Sequence, residues 1–105
     1  MEDLAEKWEM IPSDVDILVT HMPPYGIKDE NEAREKQGSP DLLRTVKERV
    51  RPRVHLFGHI HESHGWSRQN DTLFINASVK KPDCSANRPF VVDYYRDRSK
   101  VEIAQ

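Results

Sequence analysis

Leu4, Trp8 and Ile11 recur at i, i+4 and i+7, which makes one apolar helix face, before Pro12, Ser13 and Asp14 interrupt it. The spacing predicts a helix over about residues 2–10. "DILVTH", Asp16 to His21, is a β-branched apolar run that stops at a polar pair, as a buried strand does. Next comes "MPPYGIKDENEAREKQG", a charged stretch punctuated by Pro23, Pro24, Gly26 and Gly38, which reads as a long surface loop with a solvated face from Lys28 to Lys36. Ser39 then offers an N-cap hydroxyl, Pro40 suits the first helical position and Asp41 complements the positive end of the helix dipole. From there Leu42, Leu43, Val46 and Val50 form a buried stripe, while Arg44, Lys47, Glu48 and Arg51 face water until Pro52 stops the helix. "RVHLFG" reads as a second buried strand ending at Gly58. Shorter strand signals follow at "GWSR", "TLFINAS" and "FVVDYY".

Composition narrows the class without naming a function. The 105 residues suffice for one domain and one modest core, so residues 1–105 are expected to form a single unit. The net charge of −2 within a 32% charged chain mixes both signs, which carries no nucleic-acid or anionic-membrane signature. "YYRDRSK" is too short to argue for base stacking. Cys84 is the one cysteine, too few for an internal disulfide. The acidic amphipathic start does not read as a signal peptide, and no apolar stretch approaches a membrane span, so a cytoplasmic protein is expected.

The chemistry gathers in "HLFGHIHESHGW", His55 to Trp66, which holds His55, His59, His61 and His64. Strand, helix, strand is the pattern of a crossover between parallel neighbours. Residues just past the carboxyl ends of both strands therefore share one sheet edge, where open α/β sheets place their ligands. His21 ends the first strand, and His59 and His61 lie just beyond the second. If the backbone stays extended past Gly58, His59 and His61 project to the same side. Gly58 is then expected to permit a close backbone approach or a positive φ at the turn. Neutral imidazole is the commonest protein metal ligand, and three can hold Zn²⁺ with a position left for water.

"LVTHMPPYG", then "LFGHIHE", then "LFINAS" resemble the carboxyl-terminal half of the calcineurin-like metallophosphoesterases, over about Leu4 to Tyr94. The resemblance implies an α/β fold, a partial β-sandwich flanked by helices, with one βαβ unit followed by short antiparallel strands. It also implies a metal centre in which His21 and His59 ligate one cation and His61 another. The cofactors implied are divalent ions, Mn, Fe or Zn, two in the complete family site and one or none here. Gly58, Glu62 and Asn76 are candidates for supporting that site from behind the ligands. For Glu62 and Asn76 the plainer alternatives are a solvated carboxylate and a strand-end amide satisfying local backbone. His64 matches no ligand role and reads as a loop histidine.

Other family motifs have no counterpart: the chain contains no Asp-x-His, no Gly-Asp dipeptide and no Asn-His dipeptide. No catalytic residue is therefore assigned, and the chain looks like half a domain. Met22 stands where relatives commonly carry Gly; it either packs harmlessly or narrows the substrate cleft. The expected function is hydrolysis of phosphoesters, most plausibly phosphodiesters, with the chain inactive or weak until an amino-terminal half completes the site. The alternative is a non-catalytic module that binds partners or itself through an exposed sheet edge.

Overall fold

The computed structural model describes residues 2–78, 92–95 and 100–103, with the side chains of residues 2–5, 61, 92–95 and 100–103 outside the description. Cys84 lies outside it, as do the "FVVDYY" and "YYRDRSK" segments, wholly or in their side chains. Helix α1 (Glu2–Glu9) leads to β1 (Ile17–Val19), and α2 begins at Pro40. Strands β2 (Val54–Phe57), β3 (Gly65–Gln69) and β4 (Thr72–Asn76) follow, then β5 (Val92–Tyr95) and β6 (Lys100–Ile103).

The cap expected at Ser39 forms: its hydroxyl accepts from Leu42 N–H at 3.1 Å, with Pro40 in the first turn and Asp41 beside it. The helix is α-helical over Pro40–Arg44 and widens to π-helical over Thr45–Val50. Arg51 N–H accordingly reaches back to Val46 C=O at 2.8 Å, and Arg51 ends the helix in the left-handed region at φ 44°, ψ 58°. Pro52 follows and cannot extend the ladder. Leu42, Val46 and Val50 are buried, as the periodicity requires.

β1 and β2 pair in parallel, with Leu18 opposite His55, so β1, α2 and β2 form the expected βαβ unit. The sheet order is β1-β2-β4-β3. β3 and β4 form an antiparallel hairpin, and β4 is inserted parallel to β2. β5 and β6 form a separate antiparallel pair. The molecule is thus mixed α/β, in keeping with a partial metallophosphoesterase fold. The helix-facing core joins Leu18, Phe57 and Phe74 of the sheet to Leu42 and Val46 of α2. Met22 packs against this cluster, so its side chain serves the core. The reverse face buries Val54, Leu73 and Ile75, with Leu56 and Ala77 against them.

Two polar clasps fasten α1. Trp8 Nε1–H donates to Ser39 Oγ at 3.2 Å, while Arg49 donates to the carbonyls of Ile11 (2.7 Å) and Trp8 (3.0 Å). The guanidinium thereby adds a second donor at the Trp8 carbonyl, which also accepts from Ile11 N–H at 3.2 Å, and ties the Ile11 carbonyl to the same side chain.

The charged loop between β1 and α2 is more ordered than its composition suggests. Its neck is closed by Tyr25 N–H to Ser39 C=O (3.1 Å) and Ser39 N–H to Pro23 C=O (3.0 Å). Asp29 is buried, and its Oδ2 accepts from Gly26 N–H (2.8 Å) and Gly38 N–H (2.9 Å). Gly38 is required by space: a Cβ there would lie 2.4 Å from Pro24 O. At the tip, Asn31 Oδ1 accepts from the N–H groups of Ala33 and Glu35.

Candidate metal centre

β1 and β2 run in parallel and end side by side, which brings His21 and His59 together. Their ring centroids lie 4.6 Å apart with the planes tilted by 51°, and both side chains are exposed. Gly58 N–H donates to His21 C=O at 3.2 Å, tying the two strand exits to each other.

The extended path assumed past Gly58 is not the one taken. His59 has φ 70°, and Ile60 N–H donates to Gly58 C=O at 2.8 Å. This closes a γ-turn of the rarer positive-φ kind, centred on His59. The chain then enters a 3₁₀ turn at His61–Ser63. Alternation of side chains along a strand therefore does not relate His59 to His61. The role expected of Gly58 is corrected as well. The positive φ falls on His59, and a Cβ at Gly58 would meet only Ser78 Cα at 3.9 Å, an ordinary contact. A histidine in a conformation that favours glycine is strained, and such strain concentrates where a side chain must be aimed.

Asn76 is fully buried at the end of β4. Its Nδ2 donates to Lys28 C=O (3.0 Å) and Ile60 C=O (2.9 Å), while its Oδ1 accepts from Ser78 N–H (3.1 Å). The amide satisfies backbone groups, and the two carbonyls it bonds belong to the charged loop and to the turn that follows His59. Ser63 Oγ adds a second tie, donating to Glu30 C=O at 2.6 Å. Glu62 is exposed and lines a polar cleft of about 410 Å³ together with Lys28, Glu30, Ser67 and half-buried His64.

His55 is the residue that the motif reading passed over. It is completely buried, packed edge-on against Phe57 (5.1 Å) and Phe74 (5.7 Å). Its signal was present: one polar residue inside a strand whose other members are apolar. Burial alone lowers its pKa from 6.5 to about 3, so the ring is neutral.

Among the described residues no cluster of three His, Cys, Asp or Glu side chains is poised around one point, and the His61 side chain lies outside them. The donor set still suits a borderline cation: two neighbouring exposed imidazoles on a backbone strained to aim one of them. Comparison with known proteins now decides the family, because the profile described as "Calcineurin-like phosphoesterase" matches residues 2–63. This chain belongs to the calcineurin-like phosphoesterase family. The matched span contains β1, α2, β2 and all three histidines of the expected ligand set. Metallophosphoesterase domain-containing protein 1 of Homo sapiens is 46% identical over 92 residues, covering 86% of this chain and 28% of that protein. UPF0046 protein K07C11.7 of Caenorhabditis elegans is 45% identical over 91 residues, covering 86% of this chain and 31% of that protein. This calcineurin-like phosphoesterase chain thus spans about a third or less of the length of these relatives. No helix among the described residues is long and apolar enough to cross a membrane.

Proposed function

We propose that this chain supplies the imidazole part of a divalent-metal centre that hydrolyses phosphoesters, phosphodiesters above all, and that it is inactive or weakly active until a partner segment provides the carboxylate ligands. Family membership supports metal-dependent phosphoesterase chemistry in general. The observation that carries the reading to these residues is the meeting of His21 and His59 at adjacent strand ends, with His59 held in a strained turn. His21, His59 and His61 would hold the cation. When bound, such a cation neutralises phosphate charge and lowers the pKa of a coordinated water. The chain's own contribution is orientation: the Gly58–His21 backbone bond and the Asn76 clamp fix both strand exits before any ligand arrives. Mn²⁺, Fe or Zn²⁺ all suit imidazole, and a cytoplasmic setting fits the single thiol.

Metal stoichiometry tests this directly. After loading with Mn²⁺ or Zn²⁺ and desalting, elemental analysis should find bound ion in the unmodified chain and in His64→Ala, and little in His59→Ala. Equal retention in all three would overturn the assignment.

A second reading is favoured by the edge of the sheet. Val19, Leu56, Ile75 and Trp66 form one apolar row across the reverse face, and its two ends are exposed, Val19 at 70% and Trp66 at 47%. Ile17, beside Val19 on edge strand β1, is exposed at 46%. An apolar edge strand of this kind invites another strand. In this reading the chain docks a missing half or a second copy there, and Val19→Lys should abolish the concentration-dependent association that sedimentation would detect in the unmodified chain. A monomer at all concentrations would count against it.

A further inference from the structure

His55 has no direct place in the metal site, yet it is costly to keep. Its Nδ1 is buried without any hydrogen-bond partner, a penalty that an apolar ring would not incur. Its Nε2 lies 3.0 Å from Thr20 Oγ1, and Thr20 Oγ1 donates to Met22 C=O at 2.8 Å. A hydroxyl has one proton, and here it goes to Met22. Nε2 must therefore carry the imidazole proton and donate to Thr20, which leaves Nδ1 as the bare, orphaned nitrogen. The outcome is a directed chain, His55 Nε2–H to Thr20 Oγ1–H to Met22 C=O, whose last two members flank His21.

We propose that His55 is a positioning residue: through Thr20 it locks the backbone on both sides of His21 and so presets the direction of that imidazole. The inference rests on the reading of His21 as a metal ligand. Three observations converge on it. The exposed ring of His21 meets the His59 ring, and its starting point is set by a backbone that Gly58 N–H holds at the carbonyl and that Thr20 and Met22 flank. His55 lies in the same row as Leu18 and Phe74, clamped by two aromatic rings, so it is a rigid anchor. The ring remains neutral at ordinary pH, which keeps the donor direction constant.

Three variants of the full chain test the proposal, first in the absence of metal and then by metal titration. His55→Phe keeps an aromatic ring and removes the donor. His55→Gln returns an amide N–H close to the place of Nε2. Thr20→Val is isosteric and breaks the middle link. The readouts are the thermal midpoint and the backbone ¹⁵N order parameters of His21 and Met22. His55→Phe is expected to melt at or above the unmodified chain, because no polar atom is left orphaned. Its order parameters at His21 and Met22 should nonetheless fall from about 0.85 toward 0.6, the passage from rigid to flexible backbone. Thr20→Val should reproduce that loss and His55→Gln should reverse it. Mn²⁺ titration should show affinity reduced about tenfold or more in His55→Phe, the usual consequence of losing support behind a ligand. Unchanged order parameters in a folded His55→Phe chain overturn the proposal. If that variant does not fold, unchanged values in Thr20→Val overturn it equally. An unmodified chain that takes up no Mn²⁺ would sink the ligand reading of His21, whereas the order parameters decide the positioning role by themselves.

Discussion

On the helix side of the sheet, Leu18, His55 and Phe74 lie in one row beneath Leu42 and Val46, and all five are buried. On the reverse side the rows begin with Ile17 and Val19 and become buried only as they cross to β2 and β4. The same three strands supply both faces, with apolar residues on each. Burial here is decided by what covers a row, and side-chain type alone does not determine it. The helix side is where the molecule can keep a neutral imidazole as an anchor. The reverse side is where β1 leaves Ile17 and Val19 exposed.

Large-to-small substitutions should separate the two faces most strongly. Leu42→Ala or Phe74→Ala is expected to cost about 3–5 kcal/mol, the range for emptying a packed site, whereas Val19→Ala should stay within about 0.5 kcal/mol. Urea denaturation would check this, and comparable losses on both sides would dissolve the contrast. Asn76→Ala comes next. It removes three hydrogen bonds of a fully buried side chain, to Lys28 C=O, Ile60 C=O and Ser78 N–H, and should cost about 2–3 kcal/mol in the same assay.

Acid sharpens the comparison through His55. The unfolded chain binds a proton at this imidazole near pH 6.5, while the folded chain refuses it until about 3. Between those values the unfolded state holds more protons, so this contribution to stability is complete above 6.5 and is lost as pH falls. Stability should drop by about 1 kcal/mol between pH 6 and pH 5 on this account, and His55→Phe should lack that drop. Equal acid limbs in the two chains would show that the ring is accessible to protons.

The smallest effect is expected at the strained turn. His59→Gly should raise stability by about 0.5–1 kcal/mol, because glycine adopts a positive φ without steric cost, while removing the imidazole from the site. A loss of stability there would mean that the His59 ring packs for structure.

Part of this organisation was legible from residue order. Ser39, Pro40 and Asp41 announce a helix start because each satisfies a definite backbone need, and the apolar runs before His21 and Gly58 mark both strands, although β1, expected to be buried, is an edge strand with Ile17 and Val19 exposed. The widening of α2 into a π-helical end was invisible, since it is a shift in hydrogen-bond partner that the apolar spacing tolerates. Asp29 and Asn31 were hidden in a charged run, because a carboxylate that accepts two backbone N–H groups looks like any other acidic loop residue. At the site, the pairing of His21 with His59 followed from two parallel strands. The turn at His59 did not, because neighbouring Gly58 was the natural place to expect a positive φ. His55 was overshadowed by the more obvious histidines behind it, although a polar residue inside an apolar strand asks for a partner.

The closed neck of the loop between β1 and α2 has an engineering consequence. Because Pro23 and Tyr25 are bonded to Ser39, and Asp29 ties both Gly26 and Gly38, the ends of the excursion are fixed independently of its tip. The strand exits would not register how much chain is inserted around Glu32 to Arg34, and each doubling of loop length costs only about 0.6 kcal/mol of closure entropy. A peptide grafted at that tip should therefore leave the histidine pair where it is.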